Sequence, residues 1–330
     1  MELLIQGALI VVGFAMLLGG AEALVRGASA LARLAGVSPL IIGLTVVAFG
    51  TSTPEMAVNI TASLAGVSAI AFGNIIGSNI CNIGLILGVA ALLKPLDIES
   101  QLISRELPML VLTSVCGVVL GFDPLLRGTV SLYDRADGLI LLLFFSVFLY
   151  YTIGDVLRKR MSDALVREAS ASLSGAGDHS YLTQWGLIVL GLAGLVLGGR
   201  ATVDAASALA LAFGVPQVVV GLTVVAVGTS LTELATSLVA TWRGQTDIAV
   251  GNVVGSNIFN LLFIAGLSAT ITPITIPAGG LADLLVMAAF AVVLLPFALL
   301  NQRRIVRREG LVLLAAYVGY VLWRALASGG

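Results

Sequence analysis

Apolar runs of roughly 18 or more residues recur along the whole chain, separated by short polar stretches, and each is long enough to cross a hydrocarbon core of about 30 Å as a helix. About ten are predicted, at 3–25, 38–64, 69–93, 106–122, 138–157, 184–203, 215–241, 248–271, 281–300 and 310–327. The pattern therefore predicts an all-α polytopic membrane protein whose first partner is the lipid bilayer. Composition agrees: of 330 residues, 58% are hydrophobic and 11% charged, and the mean hydropathy of +1.08 lies far from that of a soluble domain. A formal net charge of -1 gives no sign of a nucleic-acid partner.

The runs are not independent. GLTVVAFGTSTPEMAVNITASLAGVSAIAFGNIIGSNICN, beginning at Gly43, aligns without a gap on GLTVVAVGTSLTELATSLVATWRGQTDIAVGNVVGSNIFN, beginning at Gly221, with 22 of 40 positions identical and a constant offset of 178. GASALARLAGV at Gly27 and AASALALAFGV at Ala205 keep the same offset. The chain thus reads as two homologous halves, 1–160 and 184–330, joined by a polar stretch at 161–183 expected to be a cytoplasmic linker. Five spans separate any position from its counterpart, and an odd number reverses the direction of crossing. The expected architecture is two inverted five-helix repeats, an arrangement typical of secondary transporters with midplane sites.

Charge placement sets an expected orientation. With the N-terminus outside, 13 of the 17 lysines and arginines fall in inner loops, which puts both termini outside and the central loop in the cytoplasm. The chain begins Met1-Glu2 without a basic leader, so the first run is read as retained in spite of the small-residue stretch Ala21-Glu22-Ala23. Cys81 and Cys116 fall in apolar runs and read as packing residues, and the single histidine, His179, falls in the central loop. Trp185, Trp242 and Trp323 stand near span ends, where indole rings prefer the headgroup region.

Two charges stand alone in apolar surroundings. Glu55 is the only charged residue between Arg33 and Lys94, and Glu233 the only one between Asp204 and Arg243. An acidic residue at a helix centre costs about 2.5–3.5 kcal/mol on insertion scales, so a compensating partner is expected, and intramembrane ionisable residues are functional by default. No basic residue stands at matching depth. A bound cation is the simplest compensation, and protonated structural pins are the alternative. The neighbours are oxygen donors: Thr51 and Ser52 in GTSTPE, Thr229 and Ser230 in GTSLTE. Thr51 precedes Glu55 by one helical turn, as Thr229 precedes Glu233, so hydroxyl and carboxylate are expected on one face unless the hydroxyls bond back to the helix.

Gly50, Gly228 and Pro54 are expected to interrupt the helix and free carbonyls such as those of Ala48 and Ala226. GNIIGSNICN adds Asn74, Ser78, Asn79 and Asn82, and GNVVGSNIFN adds Asn252, Ser256, Asn257 and Asn260. The glycines read as close-packing positions, and Asn74, Asn79, Asn252 and Asn257 as either ligands or interhelical or capping groups. An all-oxygen set suits hard cations such as calcium and sodium and lacks the thiolate and imidazole of zinc or copper sites. Two carboxylates balance one divalent ion or two sodium ions. A third sodium would make exchange electrogenic. No span carries a nucleophile–base pair or a histidine cluster, so neither an enzyme nor a cofactor is expected. A channel is disfavoured by the inverted repeat.

The duplicated motifs resemble the alpha repeats of the calcium/cation antiporter superfamily, most closely its prokaryotic sodium/calcium exchanger branch, and the resemblance covers essentially the whole chain. It implies ten helices, alternating access by sliding of the first and sixth, and ion sites from the second, third, seventh and eighth. By matching motif positions it implies as ligands Glu55, Thr51, Ser52, the Ala48 carbonyl, Ser78 and Asn82, with Glu233, Thr229, Ser230, the Ala226 carbonyl, Ser256 and Asn260 from the other half. The glutamates would bind calcium, and the hydroxyls and carbonyls would divide the flanking sodium sites. Asn260 stands where potassium-dependent members carry aspartate, which argues against potassium co-transport. The acidic GNxxE pattern of the proton-coupled branch is absent, so sodium is favoured over protons. The implied location is a prokaryotic inner membrane.

Overall fold

The computed structural model describes residues 2–126, 128, 130–170, 181–213, 226–300 and 302–328. His179, the linker residues 171–180 and residues 214–225, with Gly221 at the head of the second repeat, lie outside the described residues.

The chain runs as α1 (Glu2–Ala35), the bent pair α2 (Pro39–Thr51) and α3 (Thr53–Leu64), α4 (Ser68–Leu93), α5 (Leu102–Gly121) and α6 (Arg135–Ser170). The second half gives α7 (Tyr181–Ala212), α8 (Ala226–Thr229), α9 (Leu231–Trp242), α10 (Thr246–Ile271), α11 (Gly280–Leu299) and α12 (Arg307–Ser328). Among the described residues, eight helices are long and apolar enough to span a membrane, and the bent pair α2–α3 makes nine. The pair α8–α9 occupies the equivalent place in the second half. This is an all-α membrane fold.

Three helices outrun their apolar pattern. α1 and α7, of 34 and 32 residues, continue about ten residues past the runs ending at 25 and 203. GASALARLA and AASALALA are rich in strong helix formers, and Ala28, Leu31 and Ala32 are buried, so propensity and packing extend the helix where hydropathy fades. Likewise α6 carries on through Ser170, so the first ten residues of the expected linker are helical.

The centre belongs to the motif helices. Of the most apolar 18-residue window, 94% of α10 and 78% of α4 is buried inside the protein, against 11% of α12. α2 lies on α10 backbone to backbone, since a Cβ at Gly255 would stand 2.6 Å from the Leu44 carbonyl oxygen. α1 and α7 cross in the same manner, with a Cβ at Gly20 falling 2.7 Å from the Gly191 carbonyl oxygen. The two close-packing seams are thus distinct, one fixing the central helices and one joining the two long helices to each other.

Two short antiparallel ribbons stitch the halves together. β1 (Leu96–Asp97) pairs with β4 (Arg304–Ile305), and β2 (Leu132–Tyr133) with β3 (Ile274–Thr275). β1 and β3 each follow the helix carrying the GSN motif, so each half donates that strand to the other.

Candidate functional site

Both glutamates sit beside a helix break, and the break is the same in each half. Ser52 has φ -81° and ψ 7°, and Ser230 has φ -82° and ψ 7°. α2 and α3 meet there at a bend of 46°. Pro54 stands at the start of α3, but its counterpart is Thr232, so proline is not what sets this geometry. Proline removes the amide that the Gly50 carbonyl would otherwise receive. The Ala48 carbonyl, by contrast, is not freed as expected: it accepts the Ser52 amide at 3.0 Å, and its second lone pair faces the Thr51 and Ser256 hydroxyls at 3.3 and 3.5 Å. Ala226 opens α8.

The contacts cross between the halves, and they do so reciprocally. The Ser52 hydroxyl donates to Glu233 Oε1 at 3.0 Å, and the Ser230 hydroxyl to Glu55 Oε1 at 3.4 Å. Thr51 donates to Asn252 Oδ1 at 2.9 Å, and Thr229 to Asn74 Oδ1 at 3.2 Å. Asn79 and Asn257 exchange side-chain amide to backbone carbonyl bonds at 3.2 and 3.1 Å. Asn82 then donates to Asn257 Oδ1 at 2.9 Å, and Asn260 to Asn79 Oδ1 at 3.1 Å. Every pair joins one half to the other, so the cluster exists only where the repeats meet.

This corrects the expected pairing within one helix. Thr51 lies a turn before Glu55 in sequence, but the break at Ser52 turns α3 away, and the hydroxyl goes to Asn252. The bond back to the Ala48 carbonyl is the longer one. Asn74, Asn79, Asn252 and Asn257 are interhelical crosslinks in this arrangement. Ser78 takes its place beside Ser230, with the two hydroxyl oxygens 3.2 Å apart. One turn on, Asn82 begins a π-helical stretch, Asn82–Leu87, and Asn260 begins its twin, Asn260–Ala265. Single π turns inside α-helices are frequent at functional sites.

Burial makes the chemistry acute. Glu55, Glu233, Thr51, Ser52, Ser78, Asn82, Ser230, Ser256 and Asn260 are all buried, and Thr229 is half-buried. Among the described residues no lysine or arginine pairs with either glutamate. Three acceptor oxygens in the cluster, Glu55 Oε2, Asn82 Oδ1 and Asn260 Oδ1, have no hydrogen-bond partner. A buried oxygen left without a donor costs roughly 1–3 kcal/mol and more when it carries charge. The arrangement is short of positive charge and of donors, which is what a bound hard cation supplies.

One member went unnoticed in the sequence. Thr232 donates within reach of Glu233 Oε2 at 2.7 Å and the Thr51 carbonyl at 2.8 Å. The signal was there: Thr232 aligns with Pro54, one of the few places where the two GTS motifs differ in kind.

Known proteins place this geometry. The pattern of the family described as Sodium/calcium exchanger protein matches residues 5–154 and 183–326. The inner membrane protein YrbG of Escherichia coli is 38% identical over 98% of this chain and 97% of the relative. The sodium/calcium exchanger MaX1 of Methanosarcina acetivorans is 34% identical over 95% and 97%. The solved structure of the sodium-calcium exchanger NCX_Mj, soaked with sodium and calcium, superposes with a TM-score of 0.82 at 30% identity over 96% of this chain and 98% of that one. The described helices, with their bent pairs and crossed repeats, follow that transporter fold, and no enzymatic reaction is involved. The chain belongs to the sodium/calcium exchanger family, and is a membrane-embedded cation antiporter.

Proposed function

We propose that the chain exchanges calcium for sodium by alternating access, with Glu55 and Glu233 holding calcium between the repeats. The observation that carries the reading is the partnerless Glu55 Oε2, buried together with the orphaned Asn82 and Asn260 oxygens at the junction of the halves. The hydroxyls of Thr51, Ser52, Ser78, Thr229, Ser230 and Ser256 and the Ala48 and Ala226 carbonyls divide the flanking sodium sites, with Asn82 and Asn260 completing the ligand set. Calcium cancels both carboxylate charges, and three sodium ions leave one positive charge in excess, so exchange is electrogenic. The neutral Asn260 amide supports independence from potassium.

The α1–α7 pair is the mobile unit in this reading. It is joined by its own glycine seam, and its sliding across the central helices would open the site to one side at a time. The inner bundle divides near residues 160 and 184 into two inverted repeats, in a prokaryotic inner membrane with both termini outside. The name of the Escherichia coli relative and the excess of basic residues in one set of loops support that placement.

Calcium-45 uptake into sodium-loaded proteoliposomes tests the coupling. Uptake that requires internal sodium, generates a membrane potential and ignores potassium is expected. Uptake driven by an imposed proton gradient in sodium-free vesicles would make the chain a calcium/proton antiporter instead.

A further inference from the structure

Away from the glutamates, one end of the molecule combines a basic cavity with an apolar one. The basic cavity, of about 500 Å³, is lined by Arg26, Ser29 and Arg33 of α1, Gln184 of α7, and Arg243 and Gln245 between α9 and α10. Glu22 receives both Arg26 and Arg243, the latter from Nε at 2.8 Å, so two guanidinium groups are held in fixed positions. Arg33 is exposed and has no ion pair among the described residues. Three arginines against one glutamate leave two positive charges in excess, in a recess sized for a small anionic group.

The neighbouring cavity, of about 390 Å³, is lined by Leu18, Leu93, Leu238 and Trp242, with Lys94 also in its wall. Leu18, Glu22, Arg26 and Arg33 share one face of α1, and Leu18 lies two turns, or about 12 Å, from Arg26 along the axis. On the other side Trp242 lines the apolar cavity and Arg243, its neighbour in the chain, lines the basic one. Trp242 is 79% exposed and Trp185, next to Gln184, is 44% exposed. Exposed indoles of this kind mark headgroup depth.

We infer that this end binds one anionic phospholipid, its phosphate among Arg26, Arg33 and Arg243 and an acyl chain along Leu18 and Leu238 beneath Trp242. Three observations select this occupant. The surplus positive charge favours an anionic headgroup, as basic pockets between spanning helices do. Consecutive residues, Trp242 and Arg243, line the apolar and the basic cavity. The tryptophans set both at the membrane surface. The bound headgroup bridges α1 to the α9–α10 turn, the one place where Glu22 already ties them.

The test is native mass spectrometry of the full chain in detergent, titrated with phosphatidylglycerol, with phosphatidylcholine, or with inorganic phosphate. One phosphatidylglycerol is expected to be retained in preference to phosphatidylcholine. Arg33→Gln and Arg243→Gln together should weaken it about thirtyfold, the fold-change for roughly 1 kcal/mol per arginine. Arg33→Gln alone removes no ion pair and should show part of the loss with the protein fully folded. Arg308→Gln, an exposed charge outside both cavities, should leave retention unchanged. Equal retention of phosphatidylcholine, an equal loss in Arg308→Gln, or inorganic phosphate binding as tightly as the lipid and lost with the same variants would each overturn the assignment.

Discussion

Glu55 and Glu233 occupy equivalent positions in two repeats, yet they are held differently. Both oxygens of Glu233 receive hydroxyls, Oε1 from Ser52 at 3.0 Å and Oε2 from Thr232 at 2.7 Å. Glu55 receives a longer bond from Ser230 at 3.4 Å, and among the described residues its second oxygen has no hydrogen-bond partner. The difference traces to a single residue, because where the second half has Thr232 the first has Pro54, which offers neither a hydroxyl nor an amide. Gene duplication supplied two carboxylates, and divergence at one neighbour left one of them with hydroxyls on both oxygens and the other with a buried oxygen that has no hydrogen-bond partner among the described residues.

The largest effect expected from this comparison is on transport. Glu55→Gln and Glu233→Gln each remove half of the countercharge, and breaking a buried charge pairing costs about 3–5 kcal/mol, so sodium-dependent calcium uptake should fall about a hundredfold or more in both. The two variants should part company in stability. In ion-free buffer Glu55→Gln replaces an unsupported buried charge with a neutral amide, and should unfold later than Glu233→Gln by about 2 kcal/mol in denaturant titrations. Equal shifts would erase the asymmetry. Thr232→Val should make Glu233 resemble Glu55, lowering ion-free stability by about 1.5 kcal/mol and widening the stabilisation gained on adding calcium, read as the rise in melting temperature. Smallest of all, Ser52→Ala should destabilise more than Ser230→Ala, with a difference within about 1 kcal/mol by the same titration, following the shorter hydroxyl contact.

Much of this was legible in the chain itself. Spans of 20 residues announce themselves by hydropathy alone, and the gapless offset of 178 makes the duplication and its inversion countable. Glu55 and Glu233 stand out because a lone acid in an apolar run needs a partner. What escaped depends on geometry that no periodicity encodes. The paired backbone angles at Ser52 and Ser230 break both helices alike, with and without proline, and so move Thr51 off the face of Glu55. The exchange of partners between halves is a property of how the repeats meet, so local spacing pointed Thr51 and Thr229 to their own glutamates, whereas they bond Asn252 and Asn74 across the halves and Ser52 and Ser230 reach the opposite glutamates. The extra turns of α1 and α7 come from alanine-rich segments that hydropathy undervalues and helix propensity favours.

The most direct test of the shared site is a count of bound calcium by equilibrium dialysis on the purified wild type and the Glu55→Gln and Glu233→Gln variants, in sodium-free buffer. One calcium per wild-type chain, lost in either variant, is the predicted result. Full occupancy retained in one variant, or two independent calcium ions of which each variant loses one, would contradict a single ion held between the two repeats.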